Sequence, residues 1–184
     1  VFGKSKVGKN VISLYLENKG LQKPKIVVLY LYETSSGNGV PNGLGIWKGS
    51  GDENANPKYK GEVENGVPNG LGNLSFGGDI YVGGWKNGNY NGKGTYYDTD
   101  GGKFVGKFKD GLPNGLGKYI YANEDWYVGE WKNGKKHGQG KQDKDGERYE
   151  GGFKDGKKHG QGTTYGCCFE KRNIRYVGEF KDGK

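Results

Sequence analysis

The feature that most constrains this chain is a pattern that recurs along it at a nearly constant interval. The clearest copy, residues 127–140, reads Y-V-G-E-W-K-N-G-K-K-H-G-Q-G, and residues 149–162 read Y-E-G-G-F-K-D-G-K-K-H-G-Q-G. Spaced 22 to 27 residues apart, the other clear copies begin at Tyr59, Tyr81, Phe104 and, in shortened form, Tyr176. Repetition at such a period indicates an array of units in which each unit is stabilised by its neighbours.

Each repeat is predicted to be one β-hairpin. Tyr127, Gly129 and Trp131 alternate with mostly polar residues, and this period of two is typical of a half-buried strand. An Asn-Gly or Asp-Gly dipeptide follows in every clear copy, and such dipeptides favour a hairpin turn. The second strand is expected to start near the next G-x-G, as in residues 115–121.

Two apolar, β-branched runs precede the clear repeats, at residues 11–16 and 26–32, and each is predicted to be a strand. We therefore expect residues 1–31 to be an N-terminal cap of strands and irregular segments. Residues 32–184 are expected to be the repeat array, with a degenerate first repeat from residue 32. The chain ends inside a hairpin turn, so we expect either a longer polypeptide or self-association at this C-terminal edge.

Composition agrees with a β array and leaves the class of partner open. With 39 Gly and a mean hydropathy of −0.95, an aperiodic chain would be disordered, but 4 Trp, 14 Tyr and 7 Phe argue against disorder. The net charge of +8 divides into +4 over residues 1–58, −1 over 59–126 and +5 over 127–184. A basic end suits an anionic membrane or an acidic partner, and it also suits an ordinary solvated surface. No nucleic-acid partner is expected.

The repeat resembles the MORN repeat (membrane occupation and recognition nexus), whose pattern is approximately Y-x-G-x-W-x-x-G-x-x-H-G-x-G. In residues 127–140 every fixed position of that pattern is matched, whereas the copies from Tyr59, Tyr81 and Phe104 have Asn at the His position. The resemblance implies an all-β fold, an elongated, twisted single-layer antiparallel sheet of stacked β-hairpins. It also implies a scaffold that holds protein partners along a groove, a link to phospholipid membranes, or an accessory module beside a catalytic domain.

The aromatic, glycine-lined face is the candidate surface for a protein partner, because aromatic side chains are frequent anchors in interfaces. The same rings would equally form a thin core, and the sequence leaves both interpretations open. The candidates are Tyr81, Trp85, Phe104, Phe108, Tyr127, Trp131, Tyr149 and Phe153.

A second candidate surface is a basic edge for anionic lipid. Lys135-Lys136 and Lys157-Lys158 lie one repeat apart, so hairpins stacked in register would bring them together. The alternative is that these lysines protect a sheet edge from aggregation. The full set is Lys135, Lys136, Arg148, Lys157, Lys158, Arg172 and Arg175.

The only histidines, His137 and His159, occupy equivalent positions where other repeats have Asn. We expect them to serve a turn in which both residue types tolerate a left-handed backbone, and not to bind metal. We expect no cofactor, and no nucleophile–base pair is readable, so the sequence favours a non-catalytic protein. A cytoplasmic location, at a membrane or the cytoskeleton, is the accompanying expectation.

Overall fold

The computed structural model describes residues 11–16, 25–31, 43–48, 57–166 and 174–184. These residues form β-strands joined by turns, and they include no helix. The strands are β1 (Val11–Leu16), β2 (Lys25–Leu31), β3 (Gly43–Lys48), β4 (Lys58–Glu64), β5 (Val67–Phe76), β6 (Asp79–Lys86), β7 (Asn89–Tyr97), β8 (Lys103–Lys109), β9 (Leu112–Ile120), β10 (Trp126–Lys132), β11 (Lys135–Lys144), β12 (Glu147–Lys154), β13 (Lys157–Tyr165) and β14 (Ile174–Phe180).

The chain divides into two compact units, Val1–Gly92 and Lys93–Lys184, and strand β7 spans the division. In the first unit, strands β1 to β6 pair antiparallel in chain order. In the second unit, strands β8 to β14 do the same. The prediction of an all-β antiparallel sheet of hairpins is confirmed.

The two predicted N-terminal strands are present, as β1 (Val11–Leu16) and β2 (Lys25–Leu31), and they pair with each other. Residue 32, where the first repeat is predicted to start, lies outside the described residues. The division into a cap and an array stays a prediction. The boundary between the two compact units falls elsewhere, inside the predicted array.

The Asn-Gly and Asp-Gly turns are confirmed by their backbone angles. At Asn133 and Gly134, φ is 49° and 78°, and at Asp155 and Gly156 it is 49° and 90°. Two successive residues with positive φ form the hairpin turn whose twist matches that of the flanking strands. The same pair of positive angles occurs in every clear repeat.

The second strand of each hairpin begins earlier than predicted. Strand β9 starts at Leu112, directly after the turn, and not near Gly115. The register then shifts between Gly106 and Phe108, and equivalent shifts occur in the hairpins β4–β5, β10–β11 and β12–β13. The shift is a β-bulge, which lets residues close to the turn pair before the G-x-G comes into register.

The core lies on the aromatic face of each hairpin, where the first aromatic ring covers a pair of glycines. Gly129 pairs with Gly140 across strands β10 and β11. A Cβ on Gly140 would lie 2.5–2.7 Å from the ring atoms and hydroxyl of Tyr127. Only glycine therefore lets the ring rest on the backbone at this point.

The tyrosine hydroxyl is held by the bulge. Tyr127 Oη donates a hydrogen bond to the carbonyl oxygen of Glu130 at 2.9 Å. Equivalent bonds, three residues along the chain, are made by Tyr59, Tyr81 and Tyr149 at 2.7–3.0 Å. In these repeats the first ring thus lies on the glycine pair, and its hydroxyl donates a hydrogen bond to a carbonyl oxygen of the same repeat.

Candidate functional site

All eight aromatic candidates for partner binding are buried by their own chain. Tyr81, Tyr127 and Tyr149 are 0% exposed, and the most exposed of the eight, Trp131, is 9% exposed. The rings therefore serve the packing of the hairpins. Their contact with a partner stays a prediction.

The buried rings contact one another edge to face, in an unbroken series through the second unit. The order is Phe104, Trp131, Tyr127, Phe153, Tyr149 and Phe180, with successive ring centroids 4.9–5.2 Å apart and interplanar angles of 79–88°. In the first unit Trp85 contacts Tyr59 and Tyr81 in the same way. Each such pair contributes about 0.5–1.5 kcal/mol beyond its buried area. The series joins each repeat to the next.

Trp131 adds a polar tie between repeats. Its Nε1 donates to the carbonyl oxygen of Gly117 in the preceding hairpin at 3.2 Å, and Trp85 Nε1 donates to Gly72 at 3.1 Å. A buried indole N–H needs such an acceptor. Other repeats have Phe108 or Phe153 at the equivalent position, and phenylalanine cannot donate this hydrogen bond. The bond is therefore a structural reason for tryptophan at positions 85 and 131.

One position in each repeat, which we call the covering position, lies against the first aromatic ring in the repeats that begin at Tyr81, Tyr127 and Tyr149. It is the second residue after the turn glycine, and it is occupied by Pro68, Tyr90, Pro113, Lys136 and Lys158. Tyr90 stacks on Tyr81 with centroids 3.7 Å apart. Lys136 Nζ lies 5.0 Å from the centroid of Tyr127, and Lys158 Nζ lies 5.0 Å from that of Tyr149.

The backbone of the covering position is held in the same way from repeat to repeat. The carbonyl oxygens of Pro113, Lys136 and Lys158 each accept a hydrogen bond of 2.9 Å from a turn glycine of the next repeat. Pro68 accepts the same bond in the first unit. The side chain at this position therefore differs between repeats, whereas the hydrogen bond of its backbone carbonyl is the same.

Lys136 is a half-buried ammonium group in an aromatic setting. Its Nζ donates to Gln142 Oε1 at 2.5 Å, and it lies 5.5 Å from the ring centroid of Tyr121 as well as over Tyr127. Burial lowers the pKa of Lys136 to about 8; Lys144 adds repulsion, and Asp125 partly opposes both. Among the described residues, no carboxylate makes an ion pair with it.

Lys158, the equivalent residue one repeat later, is neutralised within the chain. Its Nζ contacts Glu147 Oε1 in an ion pair, and its side chain is 19% exposed. It also lies 5.9 Å from the ring centroid of Phe180. Two lysines at the same repeat position thus have different electrostatic surroundings.

The two lysines lie in a cleft of about 830 Å³ within the second unit. Its walls include the turn around Asn123 and Asp125, the turn at Lys144 and Asp145, and residues 156–158. Lys136, Gln142 and Phe153 also line it. The cleft therefore has an aromatic and cationic lining beside walls that carry both signs of charge.

The structure does not bring all of the predicted basic residues together at one edge. Lys136, Lys157 and Lys158 come together at the cleft, whereas Lys135 is exposed beside the turn. Arg148 lies over the ring of Trp126 at 5.3 Å and pairs with Glu150 at 3.6 Å. Arg175 is exposed, and Arg172 lies outside the described residues.

The sequence reasoning missed Gln142, although a signal for it exists. Gln142 pairs with Tyr127 across strands β10 and β11 and is 8% exposed, and Thr164, opposite Tyr149, is 6% exposed. Leu74 occupies the matching position opposite Tyr59. Comparison of the repeats at this position would have shown that a buried polar residue appears where the covering residue is lysine.

The interpretation of the two histidines was wrong. His137 lies in strand β11 and His159 in strand β13, and neither has a positive φ. The left-handed angles fall on the following glycines, Gly138 at 56° and Gly160 at 73°, because these glycines lie at the bulge. In the part of the chain that the structure describes, Nδ1 of each histidine is buried without a hydrogen-bond partner.

Two further properties concern only the described residues. They contain no group of three or more His, Cys, Asp or Glu side chains that could hold a metal ion. They also contain no helix that is long and apolar enough to cross a membrane. The adjacent cysteines of the sequence, Cys167 and Cys168, lie outside the described ranges.

Fold and site together define a β-hairpin repeat protein in which the side chain at the covering position varies while the backbone around it is conserved from repeat to repeat. The family model of the MORN repeat matches residues 59–78, 81–103, 104–126, 127–148, 149–167 and 176–184. These segments amount to more than half of the chain, and the chain belongs to the MORN repeat family. No curated protein matches the chain in a sequence comparison. MORN repeats are generally modules that bind proteins or membranes, and they are typically non-catalytic.

Proposed function

We propose that the chain is a non-catalytic scaffold that binds a protein partner along the aromatic face of its repeats. The observation that carries the proposal is the cleft of the second unit. It is concave and lined by Lys136, Gln142 and Phe153, and it has polar groups of both signs on its walls. Polar groups of both signs allow electrostatic complementarity with a protein partner, which gives an interface its specificity.

Because the first rings are covered, the partner would lie against the covering residues and the cleft walls. The eight aromatic candidates then act as the rigid support beneath the contact. A rigid support lowers the entropy lost when a partner is ordered. Trp131, at 9% exposed, is the ring of this set most open to direct contact.

The test is site-specific photo-crosslinking of the full chain in cells. A photoreactive side chain at position 157, on the cleft, is expected to capture a protein. The same group at Lys118, an exposed residue of β9 outside the cleft, is the matched control and is expected to capture little. Equal capture at both positions, or capture only at position 118, would contradict the proposal.

A second candidate function is peripheral binding to anionic membrane. The observation in its favour is that Lys135, Lys157 and Arg175 are exposed in the basic C-terminal part of the chain. Each basic residue near an anionic surface contributes about 1 kcal/mol. Sedimentation with anionic vesicles that disappears at high salt is expected; binding to neutral vesicles alone would exclude this function.

Both candidates are compatible with a cytoplasmic location at a membrane or the cytoskeleton, and with an accessory role beside a catalytic domain. Fluorescence of the tagged chain in cells tests the location. A uniform distribution unaffected by charge-neutralising changes at Lys135 and Lys157 would argue against membrane attachment.

A further inference from the structure

The cleft of the second unit contains one half-buried ammonium group, that of Lys136, which makes no ion pair among the described residues. Lys136 and Lys158 occupy the same repeat position, but Glu147 neutralises only Lys158. Lys136 has instead the neutral oxygen of Gln142. A half-buried charge that makes no ion pair is an unfavourable arrangement in the free protein.

The other charges of the cleft are largely satisfied. Lys144 pairs with Asp145 at 3.9 Å. The carboxylate of Asp125 accepts from the backbone N–H of Asp145 at 3.1 Å and from Asn123 Nδ2 at 2.9 Å. The cationic groups that remain without an ion pair among the described residues are those of Lys136 and Lys157.

The groups facing Lys136 come from every element around it. They are Asp125 from the turn before β10, Lys144 from β11 and Lys158 from β13, together with the rings of Tyr121 and Tyr127. An ammonium has three donors, and Gln142 accepts from one of them. The aromatic rings on two sides hold the group in place, so little side-chain entropy is lost when an anion binds.

The shape and charge of the cleft indicate which anion fits. A flat anionic surface would meet the carboxylates of Asp125, Asp145 and Glu147 as well as the lysines. A single carboxylate on a narrow chain can reach the half-buried Lys136 without meeting all three. Charge complementarity therefore favours a polypeptide over a bilayer.

We infer that Lys136 is the anchoring point for an Asp or Glu side chain of a polypeptide segment that lies in this cleft. The inference rests on the proposed function, because it specifies the chemistry of the partner that the scaffold holds. The acidic side chain would form a charge-assisted hydrogen bond with the ammonium of Lys136. The carboxylates on the walls would favour a basic or polar neighbour next to that acidic residue.

The test uses the full chain and arrays of short synthetic peptides in which one position is fixed as Glu, Gln or Lys. Peptides with Glu are expected to bind about tenfold more tightly than the matched Gln peptides. Lys136→Met is expected to abolish this preference, and Lys136→Arg is expected to retain it. Lys135→Met is the matched control, since it removes the same charge one residue away at an exposed site.

The outcomes separate this inference from the proposed function. If no peptide of any class binds, both are overturned. If peptides bind but Glu and Gln do not differ, or if the preference survives in Lys136→Met, the inference fails and the proposed function stands. Thermal unfolding of each variant shows that the fold is intact, which is expected because Pro and Tyr occupy the covering position elsewhere.

A second readout is the pH dependence of peptide affinity. The pKa of Lys136 is about 8 in the free protein because of burial. Affinity for Glu peptides is therefore expected to fall as the pH rises through about 8, and to stay level in Lys136→Arg. An affinity that does not change with pH in the unmodified chain would contradict the assignment of the anchor to Lys136.

Discussion

Tyrosine begins most of the repeats, and the hydrogen bond of its hydroxyl gives the reason. Tyr127 Oη satisfies the carbonyl oxygen of Glu130 at the point where the bulge shifts the register. Phe104 begins its repeat without a hydroxyl and packs its ring on the glycine pair in the same way. The ring is thus sufficient for packing on the glycine pair, and the hydroxyl adds one hydrogen bond to the backbone.

We expect Tyr127→Phe to lower the free energy of unfolding by about 1 kcal/mol, the usual contribution of one hydrogen bond. Urea unfolding at equilibrium measures it. Tyr97→Phe is the control, because the Tyr97 ring is 40% exposed, and it is expected to change stability little. Equal effects of the two changes would show that the hydroxyl of Tyr127 contributes nothing specific.

We expect the stability of the chain to depend on pH because Lys136 is half-buried. Its pKa is lowered to about 8 in the folded chain from an ordinary value of 10.5, so folding disfavours its charged form. Below about pH 8 both states are protonated and the full penalty applies. Between about pH 8 and 10.5 the unfolded state binds more protons, and stability rises with pH.

Lys136→Met is therefore expected to be more stable than the unmodified chain at neutral pH, by about 1 kcal/mol after allowance for solvent screening. The difference is expected to shrink towards zero as the pH rises from about 8 to about 10. Thermal unfolding of both proteins over this pH range measures it, since the other titrating groups are common to both. A difference that grows with pH would contradict the burial of the charge.

At the scale of the hairpin, two glycines of one repeat are required for different reasons. Gly134 has φ of 78° and an added Cβ would meet only Leu112, at 3.7 Å. Gly140 is not among the residues with positive φ, but an added Cβ would collide with the Tyr127 ring. The first glycine serves the turn and the second serves the core.

We expect Gly134→Ala to cost about 1–2 kcal/mol, the cost of a left-handed backbone for a residue with a Cβ. Gly140→Ala is expected to cost more, about 3 kcal/mol or above, because the ring and the backbone cannot both shift. Combining each change with Tyr127→Leu separates the causes. The smaller side chain of Tyr127→Leu is expected to reduce the cost of Gly140→Ala and to leave the cost of Gly134→Ala unchanged. A double-mutant cycle measures this coupling.

The turns and alternating faces of the hairpins were predictable because each depends on residues adjacent in sequence. Asn133-Gly134 specifies its turn locally, and the alternation from Tyr127 to Trp131 specifies one face. The bulge was not predicted, since it arises from pairing between strands. The inward placement of Lys136 also depends on pairing between strands: Lys136 pairs with Trp131 and therefore lies on the face that carries the rings.

At the scale of the whole molecule, the edge-to-face contacts between rings couple the stability of each repeat to that of its neighbours. Trp131 contacts Phe104 on one side and Tyr127 on the other, and it donates a hydrogen bond to Gly117. In repeat arrays each unit interacts chiefly with its neighbours. Truncation of one ring is therefore expected to destabilise its own repeat and the adjacent repeats, and to affect more distant repeats little.

We expect Trp131→Ala to cost about 3–5 kcal/mol. Hydrogen exchange is expected to show lost protection in strands β9 to β12, with strands β4 to β6 little changed. Loss of partner binding with an unchanged unfolding transition would instead assign Trp131 to the interface. Uniform loss of protection over all described strands would argue against coupling between neighbouring repeats alone.

The covering position has a consequence for how such a protein changes during evolution. Its carbonyl oxygen, not its side chain, accepts the hydrogen bond from the next turn, so proline and lysine are held alike at Pro113 and Lys136. Under the proposed function, mutations there would alter recognition with little effect on folding, whereas mutations at the glycine pair would disrupt the packing of the ring. Related arrays would then diverge in their partners through single codons while their architecture is inherited unchanged.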